Sequence, residues 1–375
     1  MGFSSYDDFI NKVSSLGQFR RFDWQKLSHP VTAAVLGEWS CLAGLGGNPG
    51  AINLAAGTNL SFQSCCEETE GAMRHGGVVA PATKHATAVA GASGGSTSAP
   101  AYLLFVDLLG FYPRSNLTVT GAVSTLHATT FTADAATDII THAAYDVASF
   151  SRLRMTTTTS LPGGLLLNTD YWTRRLSSTT SELYPTYADA VAQTNKVDLT
   201  STGTGTHTLT VGLPRYTTGA GVMVSSVVTT LLGGATPTNQ LSYTNSSGTP
   251  TRSIPGTLPT TKTAAAVGLM CSSGTGSGKY GPFWPLQGND AGVRSIESHN
   301  QNVSQLSGAK ALLLMRPLFD VPLGGIGVFT ERDLVNQLPS LPKIEDGACI
   351  VPLLYNGAAT PANTGFFGRA DFAWG

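Results

Sequence analysis

Apolar residues open the chain at three- and four-residue spacing: Phe3, Tyr6, Phe9, Ile10, Val13 and Leu16. That spacing predicts an amphipathic helix over 3–16, with Asp7 and Asp8 suited to its first turn and Gly17 as its stop. A basic and aromatic stretch, Phe19-Arg20-Arg21-Phe22-Asp23-Trp24-Gln25-Lys26, follows at once. The helix must bury its stripe, either on its own domain or on a neighbouring subunit as an arm. From 31 to 113 the pattern is mixed. Gly44 to Gly50 and Ala90 to Ser98 read as loops by composition. Pro100 to Leu109 is continuously apolar, which fits a central strand or a buried helix.

Between 114 and 206 Thr and Ser dominate. One helix is expected between Asp134 and Arg154, where Ile139, Ile140, Ala143, Ala144, Val147, Phe150 and Leu153 mark a face. A weaker one runs through Tyr187, Ala190 and Val191. From 207 the pattern becomes strand after strand: 208–211, 221–232, 264–271, 293–298, 309–318, 348–355 and 366–374, separated by Gly, Pro, Asn and Ser clusters. Thr330-Glu331-Arg332-Asp333 resembles a capping box leading into a short helix through Leu334, Val335 and Leu338, ended by Pro339 and Pro342. The expected fold is mainly β, a β-sandwich or jelly roll with an N-terminal helical arm. Its organisation reads as an arm over 1–30, a β-rich main domain over 31–113 and 207–375, and a mixed, Thr/Ser-rich inserted subdomain over 114–206.

Composition sharpens this picture. Only 12% of the 375 residues are charged, and the formal net charge is −1. Globular domains carry about 25% charged residues. A weakly charged, near-neutral surface tends to associate, which points to coverage by copies of the same chain or by partners. The balance gives no footprint for specific nucleic-acid binding, beyond proximity to a packaged genome, or for an anionic membrane. No run of about 18 apolar residues is present to span a membrane. The opening residues lack a secretion signal, and Tyr6 stands where a myristoylation pattern needs Ser or Thr. Synthesis in a cytoplasm is expected. Five cysteines (Cys41, Cys65, Cys66, Cys271, Cys349) without a C-x-x-C pair read as buried free thiols.

Candidate chemistry is thin. Gly91-Ala92-Ser93-Gly94-Gly95 satisfies the G-x-S-x-G elbow of serine hydrolases, for which Asp290 and His299 would be the following partners. Ala-, Gly- and Ser-rich text yields this pattern by chance, and a loop is expected there. Gly274-Thr275-Gly276-Ser277-Gly278-Lys279 lacks the first glycine of a phosphate-binding loop and has Tyr280 where a metal-binding hydroxyl is needed. The seven histidines (His29, His75, His85, His127, His142, His207, His299) show no metal-ligand spacing. His75 and His85 with Glu67, Glu68 and Glu70 upstream offer the nearest approach to a metal set, though the glutamates read more simply as a solvated loop. N-x-S/T sites at Asn59, Asn116, Asn245 and Asn302 are expected by chance in such text. No catalytic, cofactor or metal residue is assigned, and no enzyme activity is expected.

Four passages are similar to structural proteins of tailed-bacteriophage virions, of the capsid or capsid-associated kind. They are Ser5 to Val13, Leu213-Pro214-Arg215-Tyr216-Thr217-Thr218-Gly219-Ala220-Gly221-Val222, Asp290-Ala291-Gly292-Val293-Arg294-Ser295-Ile296-Glu297-Ser298, and Tyr355 to Pro361 through Trp374-Gly375. The resemblance implies a virion component in many copies, self-assembled and joined to other virion proteins, with no active site. A shell-forming major capsid protein is the first reading. A cement or decoration protein on the shell, or a tail appendage with a glycan-binding role, are the others. An α+β capsid fold would need a long spine helix, which only 134–154 can supply. A sugar platform would draw on Trp172, Trp284 and Trp374 with Tyr171, Tyr280 and Phe283.

Overall fold

The computed structural model describes residues 4–26, 37–76, 84–93, 101–115, 117–142, 147–235, 237–254, 258–259, 267–270, 281–324, 327–333, 344–357 and 364–374. A short helix, α1 (Tyr6–Ile10), is capped by the Ser5 hydroxyl and continued by a π-helical turn through Ser15. Strands β1 (Phe19–Lys26), β2 (Trp39–Cys41), β3 (Lys84–Ser93) and β4 (Ala101–Arg114) follow. Next come β5 (Gly121–Ser124), β6 (Ala128–Asp134), β7 (Ile139–His142), β8 (Arg152–Thr157), β9 (Asp170–Arg175) and β10 (Thr180–Tyr184). A helix, α2 (Tyr187–Ala192), precedes β11 (His207–Gly212), β12 (Met223–Thr230), β13 (Thr238–Asn245) and β14 (Val293–Gln301). The remaining strands are β15 (Ala309–Leu323), β16 (Thr330–Asp333), β17 (Ile350–Tyr355) and β18 (Gly365–Trp374).

The fold is mainly β, as the alternation and turn punctuation predict, and the strand ladders are antiparallel. The described residues form three sheets and a barrel. One sheet has the order β16-β3-β18-β1, with the two-residue strand Gly47–Asn48 beyond β1, and a second has the order β12-β15-β4-β17-β2. Strands β13, β14 and β5 make the third, and β8-β9-β10-β7-β6-β11 close into a barrel. Closure gives each of these six strands a neighbour on both sides, where a polar open sheet would leave two edges unpaired.

The spine of the molecule is the β4–β15 pair, in register from Arg114 opposite Lys310 to Ala101 opposite Leu323, with two register shifts. Side chains alternate faces along it. Leu103 and Phe105 of β4, with Phe319, Val321 and Leu323 of β15, pack on Trp24, Ala88, Ala90, Phe366 and Phe372 of the first sheet. At the other end Leu109, Tyr112, Leu312 and Leu314 join the core that fills the barrel and reaches Tyr243, Val293 and Ile296. The opposite face of the pair buries Val106, Leu108, Leu313 and Met315 against Trp39, Cys41 and Val351. One pair of strands thus contributes to three cores.

Asp107, wholly buried on β4, receives Arg215 in a two-pronged ion pair of 2.8 and 2.5 Å. The same guanidinium donates to the Cys65 carbonyl at 3.1 Å, and the Cys349 amide donates to Asp107 at 2.9 Å. Burial alone would lower the Arg215 pKa. The Asp107 carboxylate outweighs that and raises it, so the guanidinium stays charged.

Several element-level expectations need correction. Helix over 134–154 is not formed: Ile139–His142 and Arg152–Thr157 are strands of the barrel, and 143–146 lie outside the described residues. The burial of Ile140 and His142, then of Leu153 and Met155, has the period of a strand. With no spine helix there, the α+β capsid alternative falls. Thr330–Asp333 is an edge strand paired to β3 rather than a helix cap, and Leu334, Val335 and Leu338 lie outside the described residues. Ser93, expected in a loop, ends strand β3 opposite Gly365. Pro100 lies outside the description, whereas Ala101 to Leu109 is strand. The expected helix through Tyr187, Ala190 and Val191 is present as α2, with Thr186 as its cap.

Removing one partner of a buried ion pair costs about 3–5 kcal/mol, because the other charge is left without water or a counter-ion. Arg215→Met is expected to lower the unfolding free energy by about that amount, read from the urea midpoint. The double variant Asp107→Leu, Arg215→Met is expected to recover part of the loss.

Candidate functional site

Two of the passages singled out in the sequence meet in space. Arg215 anchors the loop after β11, and its neighbour Tyr216 (φ 47°) lies under the Arg316 guanidinium at 4.3 Å. Gly219 (φ 82°) and Gly221 (φ 71°) then turn the chain so closely onto 290–293 that Gly221 donates to the Ala291 carbonyl and Val293 to that of Val222. A Cβ at Gly219 would sit 2.5 Å from the Val293 carbonyl oxygen. The loop and the start of β14 are one packed unit.

A cleft of about 310 Å³ opens where this unit faces the barrel wall. Phe62, Tyr112, Val211 and Leu213 line it together with Arg152, Arg154 and Arg294. On β8, Leu153 and Met155 point into the core, which sends Arg152 and Arg154 to the outer face of the barrel. Asp170, opposite Arg154 on β9, takes Arg152 at 2.7 Å and Arg154 at 2.5 Å. Arg152 also donates to the Leu213 carbonyl at 2.7 Å, crossing over Gly212, where a Cβ would lie 2.6 Å from its guanidinium. Two arginines therefore share one carboxylate. Arg294 is exposed and has no ion-pair partner among the described residues. Thr210, Thr217 and Ser295 line the same cleft, and among the described residues their hydroxyls have no hydrogen-bond partner. Sequence reading missed these arginines. A helical period over 134–154 hides that Arg152-x-Arg154 presents both side chains on one strand face.

The residues singled out for catalysis are not assembled. Asp290 is held by Arg252, by the Tyr243 hydroxyl at 2.7 Å and by the Asn245 amide at 2.7 Å, which together keep its pKa down at about 2. His299 is buried on β14 with its Nε2 3.1 Å from the Asn239 side-chain oxygen, while Ser93 is on another sheet. Burial, with Lys310 and Arg114 nearby, holds the His299 pKa well below its usual value.

Glu67 corrects another expectation. Far from solvated, it is buried and accepts the backbone amides of His75 and Gly76 at 2.6 and 2.9 Å, with the His75 ring 3.5 Å away. Glu68 pairs with Arg74. The side chain of His85 and residues 274–280 lie outside the described residues. Among the described residues no group of three His, Cys, Asp or Glu is placed to hold a metal ion. Cys41, Cys65, Cys66 and Cys349 are buried free thiols. Of the aromatic residues proposed for a sugar platform, Trp284, Trp374 and Tyr171 are buried, Trp172 and Phe283 are half-buried, and Tyr280 lies outside the described residues.

Large apolar side chains stand exposed at separate places: Leu166 and Leu167 between barrel strands, Leu231 and Leu306 beside one another's loops, Val328 and Phe329 before β16, and Tyr6, Ile10 and Leu16 on the N-terminal helix. Among the described residues no helix is long and apolar enough to cross a membrane.

No family model matches the chain, and no curated protein does. Solved structures similar to it include the VP2 subviral particle of infectious bursal disease virus, at 9% identity over 97% of this chain and 86% of that one, with a TM-score of 0.16. Particles of T=1 type derived from infectious bursal virus give 9% identity over 97% and 82%, with a TM-score of 0.17. A likeness at that TM-score carries no weight for fold or function.

Two outcomes follow from this geometry. Gly219→Ala forces a side chain into a carbonyl at positive φ, and is expected to cost about 1–3 kcal/mol in a denaturant titration. His299 is neutral in the fold, whereas the unfolded chain takes up protons as pH falls through the ordinary value of 6.5. Stability is therefore full above that pH and declines below it, by up to about 1.4 kcal/mol per pH unit for this one group. His127, whose pKa burial also lowers, adds in the same direction. Urea midpoints at pH 7 and pH 5 should show the decline, and His299→Gln should reduce it.

Proposed function

We propose that this chain is a structural virion protein that assembles in many copies, with formation of the capsid shell as its first role. The observation that carries the reading is the combination of a 12% charged composition with large apolar side chains held in the open: Leu166 at 66%, Leu306 at 65%, Tyr6 at 63% and Phe329 at 58% exposure. An isolated soluble domain normally balances such residues with surface charge. Their placement at several well-separated sites suits a tile contacted on more than one edge, where symmetry reuses each weak contact many times.

The reading is non-catalytic. It supposes partners that are copies of this chain and other virion proteins, and a location in the capsid. A cement protein on the outside of a shell is the second reading, and it would use fewer of these surfaces.

Electron microscopy of the purified protein, beside its sedimentation profile, separates them. Closed shells or sheets are expected. Discrete small oligomers without a shell would move the assignment to cement or appendage, and a stable monomer would sink the assembly reading altogether. Ser93→Ala is expected to leave any background ester hydrolysis unchanged; a loss of that activity on substitution would refute the non-catalytic assignment.

A further inference from the structure

We propose that the cleft between the barrel and the β14 edge is a binding site for an acidic sugar, one carrying a carboxylate, phosphate or sulfate. The inference stands apart from the shell reading, since it concerns a small-molecule site and not a subunit contact.

Charge is scarce in this chain, at 12% of residues, yet three of its arginines line one cleft of about 310 Å³. No carboxylate is among the described lining residues. Asp170 behind them compensates a single positive charge, because Arg152 and Arg154 both pair with it. The remaining balance is two positive charges facing a partly enclosed space. Structural arginines ordinarily come with enough carboxylate to match them. An excess facing a cavity is the arrangement that recognises a planar or tetrahedral oxyanion through the guanidinium fork.

The rest of the lining narrows the class. Phe62, Tyr112, Val211 and Leu213 supply an apolar floor, and Thr210, Thr217 and Ser295 supply hydroxyls with no partner among the described residues. A sugar ring offers one apolar face and a rim of hydroxyls, so it matches both features, while a bare anion uses neither. The volume is at the lower end of small-molecule sites, about 300 Å³ and upward, which limits the occupant to roughly one sugar unit. The geometry is also rigid. Arg152 is locked by the Leu213 carbonyl and Asp170, and Arg294 stands on the unit that Gly219, Gly221 and Gly292 tie together. Pre-set groups of this kind lose little entropy on binding.

The test is calorimetric titration of the purified chain, in the assembly it forms, with glucuronate, glucose 6-phosphate, glucose 6-sulfate, unmodified glucose and inorganic phosphate. At least one acidic sugar is expected to saturate the site, more tightly than glucose and more weakly as salt is raised. The best of the three acids tells carboxylate from phosphate or sulfate recognition. Arg294→Gln and Arg154→Gln, both at exposed positions, are expected to weaken that binding by about tenfold or more. Arg21→Gln, on the distant first sheet, should leave it unchanged, and thermal melts of all three variants check that each is folded. The proposal is overturned if no acidic sugar saturates, if glucose binds as well as its acids, or if the two cleft variants bind like the parent. Equal binding of inorganic phosphate and glucose 6-phosphate would overturn the sugar assignment.

Discussion

Asp107 and Arg215 are drawn together from 108 residues apart, and the charges are buried where water cannot screen them. Such a pair adds little net stability over an apolar replacement, yet it tolerates almost no displacement, since each ion loses its counter-charge if they separate. That intolerance is what the surrounding structure uses. Asp107 sits on the spine strand, its second contact fixes the Cys349 amide ahead of β17, and Arg215 carries a further bond to the Cys65 carbonyl. Three stretches with no sequence proximity are registered on one carboxylate. The loop that follows Arg215 inherits its position, and with it the start of β14 and one wall of the arginine cleft.

Around this point the long β4–β15 pair distributes the hydrophobic residues. Its register shifts near Leu314 and Pro317 change which side chains face which neighbour, so the same two strands serve the first sheet at one end and the barrel at the other. A regular ladder would keep one face for one core. The bulges thereby join the barrel and the sandwich-like part into a continuous interior without a linker between them.

What could be read from sequence divides along physical lines. Strands after residue 207 were legible because alternation and turn residues are local signals, and the continuous apolar run at Ala101 to Leu109 left only strand or buried helix open. The stretch 134–154 misled because Ile139, Ile140, Val147 and Leu153 fit a helical face, while barrel closure, which selects the two-residue period, is a property of six strands together. Thr330 to Asp333 has the residues of a helix cap but lies beside Thr87 to Ala90, and pairing there decides its conformation. Glu67 looked like one of a cluster of solvated carboxylates; nothing local announces that the chain returns to place two amides on it. The cleft was the least legible feature, since it is built from β8, β11 and β14, each ordinary by itself.

The first sheet has a temporal consequence. Strand β18, Gly365–Trp374, is an interior strand with β3 on one side and β1 on the other, and those two have no ladder with each other. During synthesis β1 and β3 emerge hundreds of residues before the strand that joins them, and Trp24 has no finished core to enter. The long ladders that join β1 and β3 into one sheet therefore wait for β18, a pairing of large sequence separation that forms after local contacts. Any surface that requires this sheet forms only once Gly365–Trp374 has been inserted between its two neighbours.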